Sequence, residues 1–197
     1  MSEQCARLER SRSMLEHVLT TMQESAAAVQ TVVQEVDNLQ QALQYVIDVT
    51  RRQGGSTIAA PGLAEKDRIE LGRWCRENGL TLLTANLRDH LSAIHTGFTI
   101  ADWGIAETAT IVQDSTAEDI RLATMLCNTH IALLPLSRIR ADAVSLETEL
   151  NALIESPPRY LSFISGASRT ADIERVLTIG VHGPQELHIL ILQDVPD

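Results

Sequence analysis

The segment that most constrains the fold is residues 187–192, a run in which five of six residues are aliphatic. A strand with one face in water alternates apolar and polar residues, whereas a strand covered on both faces is apolar throughout. Strands of the second kind belong to parallel sheets that carry helices on either side. The run therefore favours the α/β class.

The rest of the chain repeats an alternation of short apolar runs and helical stripes. Strands are predicted where apolar and β-branched residues lie between turn residues, at 56–60, 80–84, 108–113, 129–134, 160–165 and 187–192. Residues 26–33 are predicted to form a first strand or an extended lead-in. Helices are predicted at 6–22, 37–53, 99–106, 118–127 and 146–154, with another that ends at Asn78. Asp37 is the predicted N-cap of the second helix, and Ser115 with Glu118 has the spacing of a capping box.

This alternation predicts a single Rossmann-like domain with a mostly parallel sheet covered by helices on both faces. We place that domain at residues 25–197 and a separable amphipathic helix at residues 1–24. The strand at 160–165 is expected to be buried and central. A hydroxyl of Ser168 or Thr170 is expected to cap a helix directly after it.

The composition and charge of the chain exclude several classes of partner and cofactor. The formal net charge of −10 disfavours nucleic acid and anionic membrane surfaces as partners, because both attract basic proteins. No apolar run has the length of a membrane span and the N-terminus lacks a signal-peptide pattern, so we expect a cytoplasmic protein. Cys5, Cys75 and Cys127 are too few for a four-cysteine cluster, and no glycine-rich nucleotide motif is present. We therefore predict no flavin, nicotinamide or iron–sulfur cofactor.

Two blocks of sequence carry a family resemblance. One is Gly166-Ala-Ser-Arg-Thr-Ala-Asp-Ile-Glu174 followed by Gly180-Val-His-Gly-Pro184, and the other is Thr99-Ile-Ala-Asp-Trp-Gly-Ile-Ala-Glu-Thr-Ala-Thr-Ile-Val112. Together they resemble the signatures of the LUD domain, the lactate utilisation protein C family. Ala109 and Ala167 depart from the family pattern, in which glycine and proline are usual at these positions.

The resemblance implies a fold like that of the ribose-phosphate isomerase and coenzyme A transferase group. It also implies a part in oxidising L-lactate to pyruvate, as one component of a three-protein system whose partners are iron–sulfur proteins. It leaves open what this component does by itself and whether it forms a homo-oligomer.

Glu107, in the Thr99–Val112 block, is the sharpest candidate for chemistry. A carboxylate at a loop junction can act as a general base, a covalent nucleophile or a ligand for a hydroxyl. It can equally cap backbone amides or pair with an arginine, and the sequence supports the two interpretations alike. Asp102 is expected to cap the helix at 99–106 together with Thr99, or to lie in a cleft wall.

Arg169, between two hydroxyl residues, is a candidate for gripping a carboxylate or phosphate. His182, in a turn of glycine and proline residues, is a candidate proton shuttle or hydrogen-bond donor to an anion, although histidines on turns are more often structural. We predict that Glu107, Arg169 and His182 share one cleft at the carboxyl edge of the sheet. The other predicted ligand-binding residues are Asp102, Thr108, Ser168, Thr170 and Gly183.

No metal site is predicted, because His90 and His95 are not spaced to share one helix face. Three functions remain open. The first is a non-redox component of a lactate-oxidising system that binds a small anion or a partner segment. The second is an enzyme of acyl or phosphate chemistry that uses Glu107. The third is a regulatory or scaffolding module.

Overall fold

The computed structural model describes residues 3–84, 86–155, 159–170, 178–179 and 183–193. In chain order its elements are α1 (Glu3–Ala28), β1 (Val32–Val36), α2 (Leu39–Arg52), β2 (Thr57–Ala59), α3 (Glu65–Glu77), β3 (Thr81–Leu83), β4 (Thr96–Ile100), β5 (Trp103–Ile105), β6 (Thr110–Asp114), α4 (Glu118–Met125), β7 (Thr129–Pro135), β8 (Ile139–Arg140), α5 (Glu147–Ile154), β9 (Leu161–Ser165), β10 (Arg169–Thr170), β11 (Thr178–Ile179) and β12 (Glu186–Leu192). Within these ranges no helix has both the length and the apolar character needed to cross a bilayer.

The larger sheet has six strands in the order β1-β12-β7-β4-β2-β3, and every neighbouring pair is parallel. The apolar run at 187–192 forms β12, which lies between β1 and β7. Its residues Ile189, Leu190 and Ile191 are fully buried. The predicted parallel α/β class is therefore confirmed, and the segment that predicted it lies inside the sheet.

The two faces of the larger sheet are covered differently. Leu43 and Ile47 of α2 and Leu71 of α3 pack with Phe98 and Leu190 on one face. On the opposite face, α1 and the smaller sheet pack against alternate residues of β7 and β12, while Ala123 of α4 contributes to a third buried cluster beside β2. Because strand side chains alternate between faces, each central strand contributes to both cores.

The sequence pattern does not predict the smaller sheet. It has four strands in the order β8-β5-β6-β9 and mixes parallel and antiparallel pairs. The predicted helix at 99–106 is wrong, because these residues form the end of β4 and then β5. Gly104 of β5 lies so close to β7 that an added Cβ would be 2.6 Å from Leu134. Contact with another strand overrides the local helical pattern here.

The strand predicted at 160–165 exists as β9, but it is not central. Within the described part of the chain it pairs with one strand, antiparallel to β6, and Phe163 is 53% exposed. The predicted helix capped by Ser168 is also contradicted, since the next two residues form β10 and pair with β11. A cap by Thr170 would act on residues 171–177, which lie outside the described part of the chain.

Three predicted boundaries also differ from the structure. Residues 26–28 continue α1 instead of starting a strand, because Ala26 faces the core with Met22, and β1 begins only at Val32. The cap of α2 is Asn38, whose side chain accepts from the N–H of Gln41, rather than Asp37. The capping box does not form: α4 begins after Ala117 without a side-chain cap, and the Ser115 hydroxyl instead donates to the main chain and accepts from Ser162.

Candidate functional site

The carboxyl ends of the parallel strands surround a cavity of about 610 Å³. Its wall is built from the residues after β2, the end of β4, the end of β6 with the loop that follows, and the turn after β7: Pro61, Gly62, Thr99, Ile100, Ala101, Asp102, Gln113, Asp114, Thr116, Ala117, Ile120 and Arg138. In open α/β sheets ligands bind outside the carboxyl ends of the strands. We call this space the carboxyl-edge cavity.

Asp102 lies in the wall of this cavity, as one of its two predicted roles required. It caps no helix; its carboxylate accepts from the main-chain N–H of Asp114 at 2.5 Å. Asp114 is in turn held by the Arg159 guanidinium at 2.6 Å and by the N–H of Thr116 at 2.9 Å. Hydrogen bonds from Thr116, with the charge of Arg159, lower the pKa of Asp114 below its ordinary value.

Two buried polar groups beside the cavity are incompletely paired. Gln113 is only 3% exposed; its Nε2 donates to the carbonyl of Ile100 at 3.1 Å, while Oε1 has no partner among the described residues. His130 is fully buried and shares a 2.9 Å hydrogen bond through Nε2 with the hydroxyl of Thr99 in the cavity wall. Its Nδ1 is likewise unpartnered within the described ranges, and burial lowers the pKa of the His130 side chain to about 4. This imidazole is therefore neutral at pH 7.

Glu107 and Thr108 lie elsewhere, in a 3₁₀ turn that packs against the C-terminal end of α1. The N–H of Glu107 donates to the carbonyl of Ala141, and its own carbonyl accepts from the Ser25 hydroxyl, both at 3.0 Å. The side chains of Glu107 and Thr108 are exposed. Thr108 is linked through Thr110 to Ser165 by a chain of hydroxyl contacts at 2.7 and 2.5 Å.

Arg169 lies close to the same end of α1. Its guanidinium donates to the side-chain oxygen of Gln30 at 2.6 Å and to the carbonyl of Ser168 at 3.0 Å. The N–H of Ser168 donates to the carbonyl of Pro184 at 2.8 Å, and an added Cβ on Gly183, whose φ is +100°, would meet Ser168 at 3.1 Å. Within the described residues, Arg169 has no carboxylate in ion-pair distance.

The position of these turns differs from the prediction. Gln30 precedes β1, and Gly183 and Pro184 precede β12, so Ser168, Arg169 and Gly183 lie at the amino ends of the parallel strands. The expected position at the carboxyl edge is wrong because β9 belongs to the smaller sheet and is antiparallel to β6. Asp102 is thus separated from this group. The side chain of Thr170 and all of His182 lie outside the described part of the chain.

The structure also adds two residues that sequence reasoning did not single out. Gln113 and Arg138 both line the carboxyl-edge cavity. The sequence held a signal for each, because Gln113 ends a predicted strand and Arg138 lies three residues after Pro135, at which another predicted strand stops. The sequence does not show which strands are neighbours, and β6 belongs to a different sheet from β4 and β7.

A family model described as the LUD domain matches residues 19–192. The chain belongs to the LUD domain family. The predicted family is thereby confirmed, and the match covers both the carboxyl-edge cavity and the surface at the end of α1.

Relatives of this LUD domain extend over most of the chain. It is 30% identical to "Lactate utilization protein C" of Halalkalibacterium halodurans over 94% of this chain and 82% of that protein. It is 27% identical to the protein of the same name from Anoxybacillus flavithermus over 90% of this chain and 81% of that one. A shorter match, to the protein of that name from Exiguobacterium sp., is 40% identical over 50% of this chain and 44% of the relative.

A crystal structure described as a DUF162 family protein from Deinococcus radiodurans superposes with a TM-score of 0.59. The match covers 90% of this LUD domain chain and 98% of that chain, at 17% identity. At this identity the likeness supports the fold, and it carries no information about the ligand.

Proposed function

We propose that this LUD domain protein is a non-redox component of a system that oxidises L-lactate to pyruvate. The observation that carries the proposal is the 30% identity to a lactate utilization protein C over 94% of the chain. Iron–sulfur proteins of the same system are the proposed partners, and they would carry the electrons. A cytoplasmic location and the fold kinship with the ribose-phosphate isomerase and coenzyme A transferase group belong to this proposal.

The state of two of the three thiols supports a non-redox role. Cys75 and Cys127 are buried, and burial raises the pKa of the first to about 11 and that of the second to about 12. Thiolates, not thiols, ligate metals and attack electrophiles, so these two cysteines are poorly suited to either task. No group of three metal-ligating side chains occurs within the ranges that the structure describes.

We assign recognition of a small anion or a partner segment to the surface at the end of α1, which carries Glu107, Thr108, Ser168 and Arg169. The proposal keeps Thr170, His182 and Gly183 as further candidate residues for this recognition. Main-chain hydrogen bonds hold the Glu107 turn on both sides. Among the described residues, the Arg169 guanidinium is oriented by the neutral side-chain amide of Gln30 and by no carboxylate, which leaves its charge available to an anion.

Growth on L-lactate tests the proposal. A strain without the gene is expected to lose growth on L-lactate and to keep growth on pyruvate. The wild-type gene is expected to restore growth, whereas Arg169→Ala and Glu107→Gln are not. Because these side chains are not in the core, both variants should keep the wild-type stability within about 0.5 kcal/mol.

Arg73→Ala is the matched control, since Arg73 is an exposed arginine on α3 far from the proposed surface in sequence. Unimpaired growth of the deletion strain on L-lactate would refute the lactate role. Full restoration by both Arg169→Ala and Glu107→Gln would refute the site while leaving the lactate role intact. Turnover by the purified protein that disappears in Glu107→Gln would instead favour the stand-alone enzyme.

A further inference from the structure

β9 forms one edge of the smaller sheet. It pairs with β6 along Leu161–Ser165, and no other strand of the described residues pairs with its second side. An edge strand presents a row of unpaired main-chain N–H and C=O groups and is a template for a further strand. The open side of β9 is therefore a candidate interaction surface.

The hydrogen bonds to β6 show which groups of β9 face this open side. Along a strand of an antiparallel ladder, successive residues point their main-chain groups to alternate sides. The N–H of Ser115 donates to the carbonyl of Tyr160 at 2.7 Å, and the register of the two strands places these residues opposite each other. Even-numbered residues of β9 thus point towards β6. Leu161, Phe163 and Ser165 point their N–H and C=O groups to the open side.

The other side of β6 gives the same assignment. The carbonyl of Val112 accepts from the N–H of Asp102, next to β5, at 2.9 Å. Val112 therefore points its main-chain groups away from β9, and its partner on β9 is Phe163. These two residues form a pair without mutual main-chain hydrogen bonds, which leaves both groups of Phe163 for the open side.

The open side lacks the features that usually protect an edge strand. Such strands commonly carry charged residues or proline, which discourage further pairing. β9 has the sequence Leu-Ser-Phe-Ile-Ser, without either, whereas β1 at an edge of the larger sheet carries Glu35. Phe163 is 53% exposed although Val112 opposite it is fully buried. The edge is thus both unprotected and partly apolar.

The outward-facing groups are symmetric about Phe163, and this symmetry identifies the occupant. When two copies of β9 lie antiparallel with their Phe163 residues opposite each other, Leu161 of each copy lies opposite Ser165 of the other. Every outward N–H and C=O of these three residues then has a partner. The strand is uncharged, so two chains of net charge −10 place no like charges opposite each other along it.

We propose that two copies of this chain associate through β9, in an antiparallel two-fold pairing centred on Phe163. The smaller sheets of the two copies join into one continuous sheet. The two Phe163 side chains lie side by side on the same face, and aromatic pairs of this kind stabilise neighbouring strands. The pairing uses neither Glu107 nor Arg169 and does not depend on the lactate role.

Sedimentation velocity of the full chain over a concentration series tests the association. Protein interfaces commonly have Kd values that are micromolar or tighter, so the wild type should be mainly dimeric at roughly 100 μM and dissociate on dilution. Phe163→Lys puts like charges opposite each other and removes the aromatic pair, and should weaken the dimer about tenfold or more. Ile69→Lys is the control: it makes the same kind of change at a 64% exposed position on α3 and should leave the equilibrium unchanged.

Cysteine cross-linking tests the register, in a Cys5→Ser background because Cys75 and Cys127 are buried. Directly opposite residues in a hydrogen-bonded pair have Cα atoms about 5.5 Å apart, a distance that a disulfide spans. Phe163→Cys should therefore give a disulfide-linked dimer under mild oxidation. Ser165→Cys is also exposed but lies off the two-fold axis, and should give little.

Three results would overturn the proposal. A wild type that stays monomeric throughout the series would show that the edge is left unpaired or is covered by something other than a second copy. Undiminished association of Phe163→Lys would place the dimer contact elsewhere. Cross-linking of Ser165→Cys as efficient as that of Phe163→Cys would refute the register. Growth on L-lactate reports the proposed function separately from these measurements.

Discussion

Truncating Met22 to alanine tests whether α1 is part of the folded core. Met22 is fully buried on α1 and packs with Val18 and Ala26 against the smaller sheet and β12. Met14 is on the same helix but is 66% exposed. The two methionines share residue type, helix and propensity change, so the difference between Met22→Ala and Met14→Ala isolates the packing of α1.

The magnitude follows from burial. Truncating a buried methionine to alanine costs about 2–5 kcal/mol, because the hydrophobic contact is lost and a cavity remains. An exposed substitution of the same kind stays within about 0.5 kcal/mol. For a chain of this length the larger loss corresponds to a fall in Tm of roughly 4–20 °C.

Urea and thermal denaturation followed by circular dichroism measure both variants. We expect Met22→Ala to lower the urea midpoint and Tm while Met14→Ala leaves them unchanged. Equal stability of the two variants would show that α1 is not docked as described. It would also support the predicted boundary at residue 24, under which the chain without residues 1–22 keeps a cooperative transition, although with a lower Tm.

Two further predictions concern buried residues of the larger sheet. Burial lowers the pKa of His130 from 6.5 to about 4, so its contribution to stability is present above pH 6.5 and is lost as the pH falls towards 4. Between pH 7 and pH 5 the wild type should therefore lose about 2 kcal/mol of unfolding free energy relative to His130→Gln, as measured by urea titration. Parallel pH profiles of the two proteins would contradict the burial of a neutral imidazole. A Cβ on Gly97 would lie 2.0 Å from the Ala123 carbonyl oxygen, so Gly97→Ala should lower Tm strongly. Gly72→Ala on α3 is the control: its new Cβ meets only ordinary contacts, and the change should raise stability by about 0.5–1 kcal/mol. Equal Tm values for the two variants would refute the close approach of α4 to β4.

Backbone strain at Ala109 connects the family pattern to the structure. The resemblance predicts glycine there, and this chain has alanine. The residue adopts φ +48° and ψ +41°, a left-handed conformation that glycine reaches without cost and that L-residues with a Cβ disfavour. The sequence identified the position, and only the backbone geometry gives the reason that glycine suits it.

Local patterns were sufficient for the fold class. Alternating strand and helix signals predicted a parallel sheet, and the apolar run at 187–192 predicted a strand buried on both faces, because burial on two sides demands apolar residues on both. The predicted helices at 37–53, 118–127 and 146–154 correspond to α2, α4 and α5. Both signature blocks are visible in the sequence itself, and they indicate the correct family.

Long-range pairing decided the rest. Residues 99–106 became strands, and β9 became the edge of a second sheet, because hydrogen-bond partners distant in sequence outweigh local propensity. Strand order likewise placed Arg169 at the amino ends and gathered Asp102, Gln113 and Arg138 at the carboxyl ends. The sequence specifies the type of each side chain and its neighbours along the chain. The edge of the sheet at which the side chain lies depends instead on strand pairing: which strand its own strand pairs with, and in which direction.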